Sequence, residues 1–208
     1  MLYEKLVRWL YAIEDLIFEK YYGFNFSGNI SAADLVTAYS TKGNSFEYRP
    51  VYLGTLRVLL LEVDKLDAKY HNFIDIGSGK GKACFYALKR QSFVQVIGVE
   101  FSKDLVDIAN KNKSKFGKND IVFLNSDAST FILPDAPSLI FLFNPFDQIV
   151  LERFIGNNIS HFIDHSSVIA YANDIHRAVL SKFGFETIFR NPTRKISIHK
   201  FMNRELKD

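Results

Sequence analysis

Residues 73–83 read Phe-Ile-Asp-Ile-Gly-Ser-Gly-Lys-Gly-Lys-Ala, a short apolar run that passes into three alternate glycines and then into helix-forming residues. An apolar run of this length bounded by glycine suits a strand buried on both faces. Glycine at 77, 79 and 81 admits positive φ and a close approach to the backbone, and a helix starting there presents unpaired N–H groups. The segment therefore predicts a strand, a tight turn and a helix, with the turn shaped for a nucleotide-like ligand.

The flanking sequence fits a parallel α/β sheet, because short apolar runs alternate with helical segments. Strands are expected at Asn72–Ile76, Val94–Glu100, Ile121–Asn125, Leu139–Phe143, Val168–Tyr171, Glu186–Phe189 and Ile196–Phe201. Helices are expected at Lys82–Arg90, Leu105–Lys113, Ile149–Phe162 and Ile175–Lys182. Only Arg190 to Lys195 joins the last two strands, too short for a crossover helix, so they form an antiparallel hairpin. Ahead of the sheet, Leu2–Tyr22 has the spacing of an amphipathic helix. Residues 23–50 are turn-rich, with a short helix expected at Ser31–Tyr39 under a Ser31 cap, and a helix follows over Val51–Leu66. The expected organisation is an N-terminal helical extension and lid over 1–50 and one α/β domain over 51–208.

Composition narrows the class further. The 208 residues carry a net charge of +3, too mild to mark nucleic-acid binding by itself. One cysteine, Cys84, leaves no disulfide framework or multi-cysteine metal site and fits a reducing compartment, so a cytoplasmic location is expected. No stretch approaches the roughly 18 apolar residues that span a bilayer. The mixed charge of the first helix argues against a membrane surface.

The glycine turn allows three readings. A dinucleotide fingerprint needs G-x-G-x-x-G, but the third glycine falls at Gly81, with Lys82 where the fingerprint wants Gly. A Walker loop needs four residues before its Gly-Lys and a Ser or Thr after it; here there are three, and Ala83 follows. What remains is Asp75, Gly77, Gly79 and Gly81, an acid followed by G-x-G-x-G. This resembles the first motif of the class I S-adenosylmethionine-dependent methyltransferases. A carboxylate at a strand end suits a ligand that carries an amine and a sulfonium rather than phosphates.

Further motifs follow in that family's order. Glu100 with Phe101 closes the second strand, 25 residues after Asp75, where the family binds ribose. Ser126-Asp127-Ala128 closes the third strand, where the family holds adenine. Asn144-Pro145-Phe146 closes the fourth, beside the methyl group. The resemblance spans roughly Asn72 to Met202 and implies a Rossmann-like, mostly parallel seven-stranded sheet in order 3-2-1-4-5-7-6. Strand 7 is antiparallel and helices cover both faces. It implies S-adenosylmethionine as cofactor and S-adenosylhomocysteine as product. Asp75, Gly77, Ser78, Gly79 and Gly81 would seat the methionine part, and Tyr48 would belong to a covering segment. A nicotinamide-dependent oxidoreductase and an inactive methyltransferase-like binding module are the alternatives from other classes.

Methyl transfer needs the nucleophile held in line with the leaving group, with no metal or covalent intermediate. Asn144-Pro145-Phe146 is similar to the Asn-Pro-Pro-aromatic motif of methyltransferases acting on amino nitrogens. Phe146 replaces the second Pro, and Asp147 stands where the aromatic belongs. The expected acceptor is a nitrogen of a protein side chain or small molecule, with an RNA or DNA base as the alternative. Asn144 would accept a hydrogen bond from the nucleophile, and Phe146 would stack on a planar acceptor.

Other polar clusters have plainer readings. His161 and His165 suit the end of a helix, where they complement its dipole, better than a metal site. Asn173 or Asp174 reads as an exposed helix cap, with His176 a less favoured base. Lys111, Lys113, Lys115 and Lys118 read as a solvated helix end, and Arg190, Arg194, Lys195 and Lys200 as a charged sheet edge. Cys84 reads as buried packing.

Overall fold

The computed structural model describes residues 2–35, 37, 39, 43, 47–117 and 120–202. Seven strands, β1 (Asn72–Ile76), β2 (Gln95–Glu100), β3 (Ile121–Asn125), β4 (Ser138–Leu142), β5 (Val168–Ala172), β6 (Phe185–Asn191) and β7 (Ile196–Phe201), form one sheet in the order 3-2-1-4-5-7-6. β1 pairs in parallel with β2 and β4, and β7 runs antiparallel to both β5 and β6. This is the order and hand of pairing that the motif order and the terminal hairpin imply.

The period-2 geometry of the strands divides the core in two. Phe73, Val96, Leu139 and Phe141 face one layer, packed with α2 (Leu53–Asp64), α3 (Lys82–Arg90) and α4 (Lys103–Phe116). Ile74, Ile76, Ile140, Leu142 and Ile169 face the other, packed with α5 (Gln148–Asn157), α6 (Ile159–Asp164) and α7 (Arg177–Lys182). Between β1 and β2, α3 is buried from Lys82 to Leu88, so it is the central helix of its layer.

The helix expected over Ile149–Phe162 is instead two helices broken at Asn158. Its side chain accepts from the Leu133 N–H at 2.7 Å and donates to the carbonyls of Phe131 and Phe154, each at 2.8 Å. Asn158 thus satisfies the incoming loop at the cost of helix continuity. The segment after Ser31 is a single 3-10 turn, Ala32–Asp34, which Ser31 caps by accepting from the Asp34 N–H. Val36 and Ala38 of the expected helix, the stretches 40–42 and 44–46, and Lys118 lie outside the described residues.

The N-terminal helix α1 (Leu2–Tyr22) lies against α2 with Tyr11, Glu14, Asp15 and Phe18 turned inward. Past its end, Phe24 and Phe26 join Phe18, Phe85 and Phe116 in a cluster of rings, Phe24 to Phe85 at 4.7 Å between centroids. Much of the aromatic content thus anchors the N-terminal segment on α3 and α4. Asn112 of α4 accepts from the Asn25 N–H at 2.9 Å and donates to the carbonyls of Asn25 and Lys80.

One ion pair joins α1 to the start of α3. Lys82 Nζ lies 2.6 Å from Asp15 Oδ2, with both side chains largely buried, and Asp15 Oδ1 accepts from the Leu53 N–H at 2.9 Å. Burial pushes the Asp15 carboxyl up and the Lys82 ammonium down, and each partner partly offsets the shift of the other. Removing one member strands the other charge in a low-dielectric site. Asp15→Ala is expected to lower the unfolding free energy by about 3–5 kcal/mol in urea titration. The paired replacement Asp15→Leu with Lys82→Met is expected to recover most of that loss.

Candidate functional site

The carboxyl ends of β1 to β5 open into one cavity of about 730 Å³, inside the roughly 300–1,000 Å³ range of small-molecule sites. Asp75, Gly77, Ser78, Glu100, Phe101, Ser126, Asp127, Ala128, Asn144, Pro145, Phe146 and Tyr48 all line it. Open α/β sheets bind ligands at this edge because the crossover helices part there. Gly79 and Gly81 are not among the residues that line the cavity. A side chain at Gly79 would put its Cβ 2.3 Å from the Tyr48 ring, and one at Gly77 would sit 2.2 Å from Pro145 Cβ. Both residues also have positive φ, so the turn needs glycine there for protein contacts as well as for its own shape.

Glu100 ties β2 to this turn. Its Oε2 accepts from the Gly79 N–H and its Oε1 from the Ser102 N–H, each at 2.9 Å. Burial pushes its carboxyl up to about 7, against the backbone donors of Ser102, Gly79 and Phe101. Burial and the neighbouring Glu100 push Asp75 up to about 8, with Cys84 Sγ 3.8 Å from its Oδ2. No cationic side chain among the described residues pulls either carboxyl down. Asp127 is buried at the end of β3 and accepts from the Ser129 N–H at 2.8 Å. Ser78 Oγ is buried with no hydrogen-bond partner among the described residues.

Asn144 leaves β4 in the left-handed region, φ 43°, and its Oδ1 accepts from the Tyr171 hydroxyl at 3.1 Å. That acceptor, expected to be open to a nucleophile, is therefore half engaged. Burial raises the Tyr171 phenol, which keeps it a donor. Asp147, the departure from the Asn-Pro-Pro-aromatic pattern, caps α5 by accepting from the N–H groups of Ile149 and Val150. Its identity answers to the helix rather than to the cavity.

Several cavity residues escaped the sequence reading. Val7, Arg8 and Tyr11 of α1, Val51 and Thr55, and Thr193, Arg194 and Lys195 of the β6–β7 turn all line the wall, beside Arg49, Pro50 and Tyr52 of the expected covering segment. Because β7 is antiparallel, its first residue, Ile196, pairs with Ala172 at the end of β5, which returns the turn to the cavity edge. The short hairpin connection already carried that signal. Arg194 Nη1 donates to the Tyr11 hydroxyl at 2.8 Å, linking turn and α1.

Two polar readings change. Asp174 is buried rather than an exposed cap, with Arg190 Nε 3.0 Å from its Oδ2, and the N-cap of α7 is His176. His161 pairs with Ser167 Oγ at 2.8 Å, and burial followed by His165 lowers it to about 4, so it carries no charge to offer a helix dipole at neutral pH. His176 is absent from the residues lining the cavity. Cys84 is fully buried, as expected.

The strand order, the antiparallel seventh strand and the acid-lined cleft define the class I methyltransferase fold. The family model described as a methyltransferase domain matches residues 67–191, more than half of the chain, and the chain belongs to that family. It is an S-adenosylmethionine-dependent methyltransferase. No curated protein is similar enough to match it. Among solved structures, a ribosomal protein L11 methylase from Lactobacillus delbrueckii subsp. bulgaricus is 18% identical, with 74% of this chain and 90% of that one covered at a TM-score of 0.54. A candidate RNA methyltransferase from Pyrococcus horikoshii is 19% identical, with 83% and 96% covered at 0.56. TrmN from Thermus thermophilus is 14% identical, with 73% and 49% covered at 0.56. These likenesses are in fold. No described helix is long and apolar enough to cross a membrane.

The residues present suit that cofactor. Asp75 and Glu100 are buried acids without a cation, and Ser78 Oγ is an unused polar atom on the same wall. Because both carboxyls are raised, the folded protein holds protons that an unfolded chain releases above about pH 4. Stability from this source is full below that pH and is lost as pH rises through about 7 and 8. His161 and His199, lowered to about 4, give the opposite slope, but only below about pH 6.5. Thermal denaturation of ligand-free protein from pH 7 upward is expected to show Tm falling, and Asp75→Asn is expected to flatten that fall. An equal slope in the variant would remove Asp75 as its source.

Proposed function

We propose that the enzyme transfers the methyl group of S-adenosylmethionine to a nitrogen of a small molecule or of a protruding protein side chain. The observation that carries this reading is the single cavity shared by the strand-end acids and Asn144. In this proposal Asp75 and the turn from Gly77 to Gly81 seat the methionine part, with Gly79 and Gly81 acting through the shape of the turn. Glu100 with Phe101 takes the ribose, Ser126–Ala128 the adenine, and Tyr48 covers the cofactor. Residues 1–50 act as extension and lid over a domain that starts at 51.

The cofactor supplies an electrophilic methyl group when bound, so the protein's task is orientation, which can contribute about 7–11 kcal/mol. Asn144 supports that role because Tyr171 fixes its amide while leaving Oδ1 a second acceptor position for an N–H group. Pro145 and Phe146 supply an apolar wall on which a planar acceptor can rest. The position of α1 and residues 47–52 along the wall favours an acceptor that enters singly rather than one docked over a broad surface.

A nucleic-acid base is the second reading. Arg8, Arg49, Arg194 and Lys195 line the cavity and could contact phosphates, although Arg49 is paired with Glu47. One of the similar folds, from Pyrococcus horikoshii, is a candidate RNA methyltransferase.

Glu100→Ala is expected to weaken S-adenosylmethionine binding at least tenfold, about 1.4 kcal/mol by calorimetry. Asn144→Ala is expected to leave cofactor affinity within a few-fold and to cut turnover on the order of 10²-fold. Incubation with methyl-labelled cofactor and separated metabolite, protein and RNA fractions identifies the acceptor. Label in RNA alone would replace the proposed acceptor with the nucleic-acid reading.

A further inference from the structure

The outward side of α1 carries an apolar stripe that no element among the described residues covers. Leu6, Trp9, Leu10, Leu16, Ile17 and Tyr21 are each half to three-quarters exposed, at 50–77%. At 100° per residue they share one side of the helix, with Ile13 at the centre, opposite Tyr11, Asp15 and Phe18. Taking roughly 150–250 Å² for a large side chain, the stripe presents on the order of 700 Å². That exceeds the roughly 300–600 Å² of the largest patch on a typical monomer. It comes close to the roughly 800 Å² per partner buried in a standard interface.

The order of residues in the stripe points to its occupant. Leu6, Leu10, Ile13 and Ile17 repeat at spacings of four, three and four, the seam of helices packed side by side. The stripe is also self-complementary about Ile13. An antiparallel second copy related by a twofold axis there sets Ile13 on Ile13, Leu10 on Leu16 and Trp9 on Ile17. It also sets the stem of Lys20 on Leu6, and the Lys5 ammonium near the Tyr21 ring. A twofold interface requires this reciprocity, in which residue i meets j and j meets i. Glu14, Asp15 and Glu19 are engaged on the inner side of the helix by Arg57, Lys82 and Ser27, so the reciprocal pairing about Ile13, not the charge of the helix, favours a second copy over a membrane surface.

We propose that the chain forms a twofold dimer through the outer face of α1, the helix whose inner face lines the cavity and holds Lys82. This rests on the stripe and is independent of the acceptor.

Sedimentation velocity of the full chain over a hundredfold range of concentration tests it, with Ile17→Glu beside the wild type. A concentration-dependent dimer that becomes monomeric in the variant, with unchanged circular dichroism, is the expected result. Trp9 is the only tryptophan, so its emission should move to shorter wavelength as concentration rises, and Ile17→Glu should abolish that shift. Leu10→Glu alone should give monomer, and Leu10→Glu combined with Leu16→Lys should restore the dimer, because those positions face each other across the axis. A wild type that is monomeric throughout, a dimer that survives both glutamates, or flotation of the monomer with phosphatidylserine–phosphatidylcholine vesicles would overturn the proposal.

Discussion

The turn from Gly77 to Gly81 is the point on which the other parts of the molecule bear. Glu100 holds its Gly79 N–H from β2, Pro145 packs on Gly77 from the end of β4, and Phe123 of β3 covers Gly81. The N-terminal segment reaches it three times. Tyr48 covers Gly79, Lys80 Nζ donates to the Ser27 carbonyl at 2.7 Å, and Lys82 pairs with Asp15. A turn of this kind cannot adjust to a Cβ at Gly77 or Gly79 without moving another element. The spacing acid-x-G-x-G-x-G is therefore a record of packing within the protein as much as of a ligand. Phosphate-binding turns use a different spacing because their glycines must leave N–H groups facing the ligand.

That dependence explains which features could be read from the chain. Strands such as Asn72–Ile76 and Ile196–Phe201 were legible to the residue, the first because Phe73, Ile74 and Ile76 run straight into the glycine turn, the second because Ile196 and Ile198 alternate with polar residues just after the short hairpin connection. The sheet order came with the family resemblance that the motifs carry, and the strand count and short hairpin agreed with it. Asp75, Glu100, Asp127 and Asn144 were legible as a group, because each ends a strand and parallel strands end on one edge. The break at Asn158 was not, because the apolar period continues across it and its cause is a loop 25 residues earlier. Tyr11, Arg194 and Lys195 were also hidden, since their place on the wall depends on contacts across most of the chain. Tyr171 lies in a strand that reads as core, and only its partner shows that its hydroxyl serves Asn144.

The cavity is electrically divided. Its strand-end carboxyls, Asp75 and Glu100, are buried, and burial favours their neutral forms. Under the proposed seating of the cofactor, a cation entering there would restore the charged forms, which favours a sulfonium and amine over phosphates. Arg8, Arg194 and Lys195 lie on exposed parts of the same wall, where water screens them and their reach is longer than their pairwise strength. The two groups therefore differ in kind. The acids discriminate at contact, whereas the bases bias what approaches.

Backbone strain gathers along the cavity wall from the end of β4 to the start of β7. Of the four non-glycine residues with positive φ among the described residues, three line the cavity: Asn144, Asn173 and Lys195. They stand at the ends of β4 and β5 and the start of β7, three strands adjacent in the sheet. Asparagine tolerates this region and lysine does so less readily, so each position is held by its surroundings rather than by local preference. Tyr171 holds Asn144, and the Asp174 N–H donates to the Lys195 carbonyl at 3.0 Å. Asp174 is in turn fixed by Arg190, one turn away on β6. Reversing β7 to parallel would carry Lys195 to the opposite edge of the sheet and leave this wall open. The antiparallel strand thus closes this side of the cavity with a short turn, where a parallel strand would need a crossover along a face of the sheet.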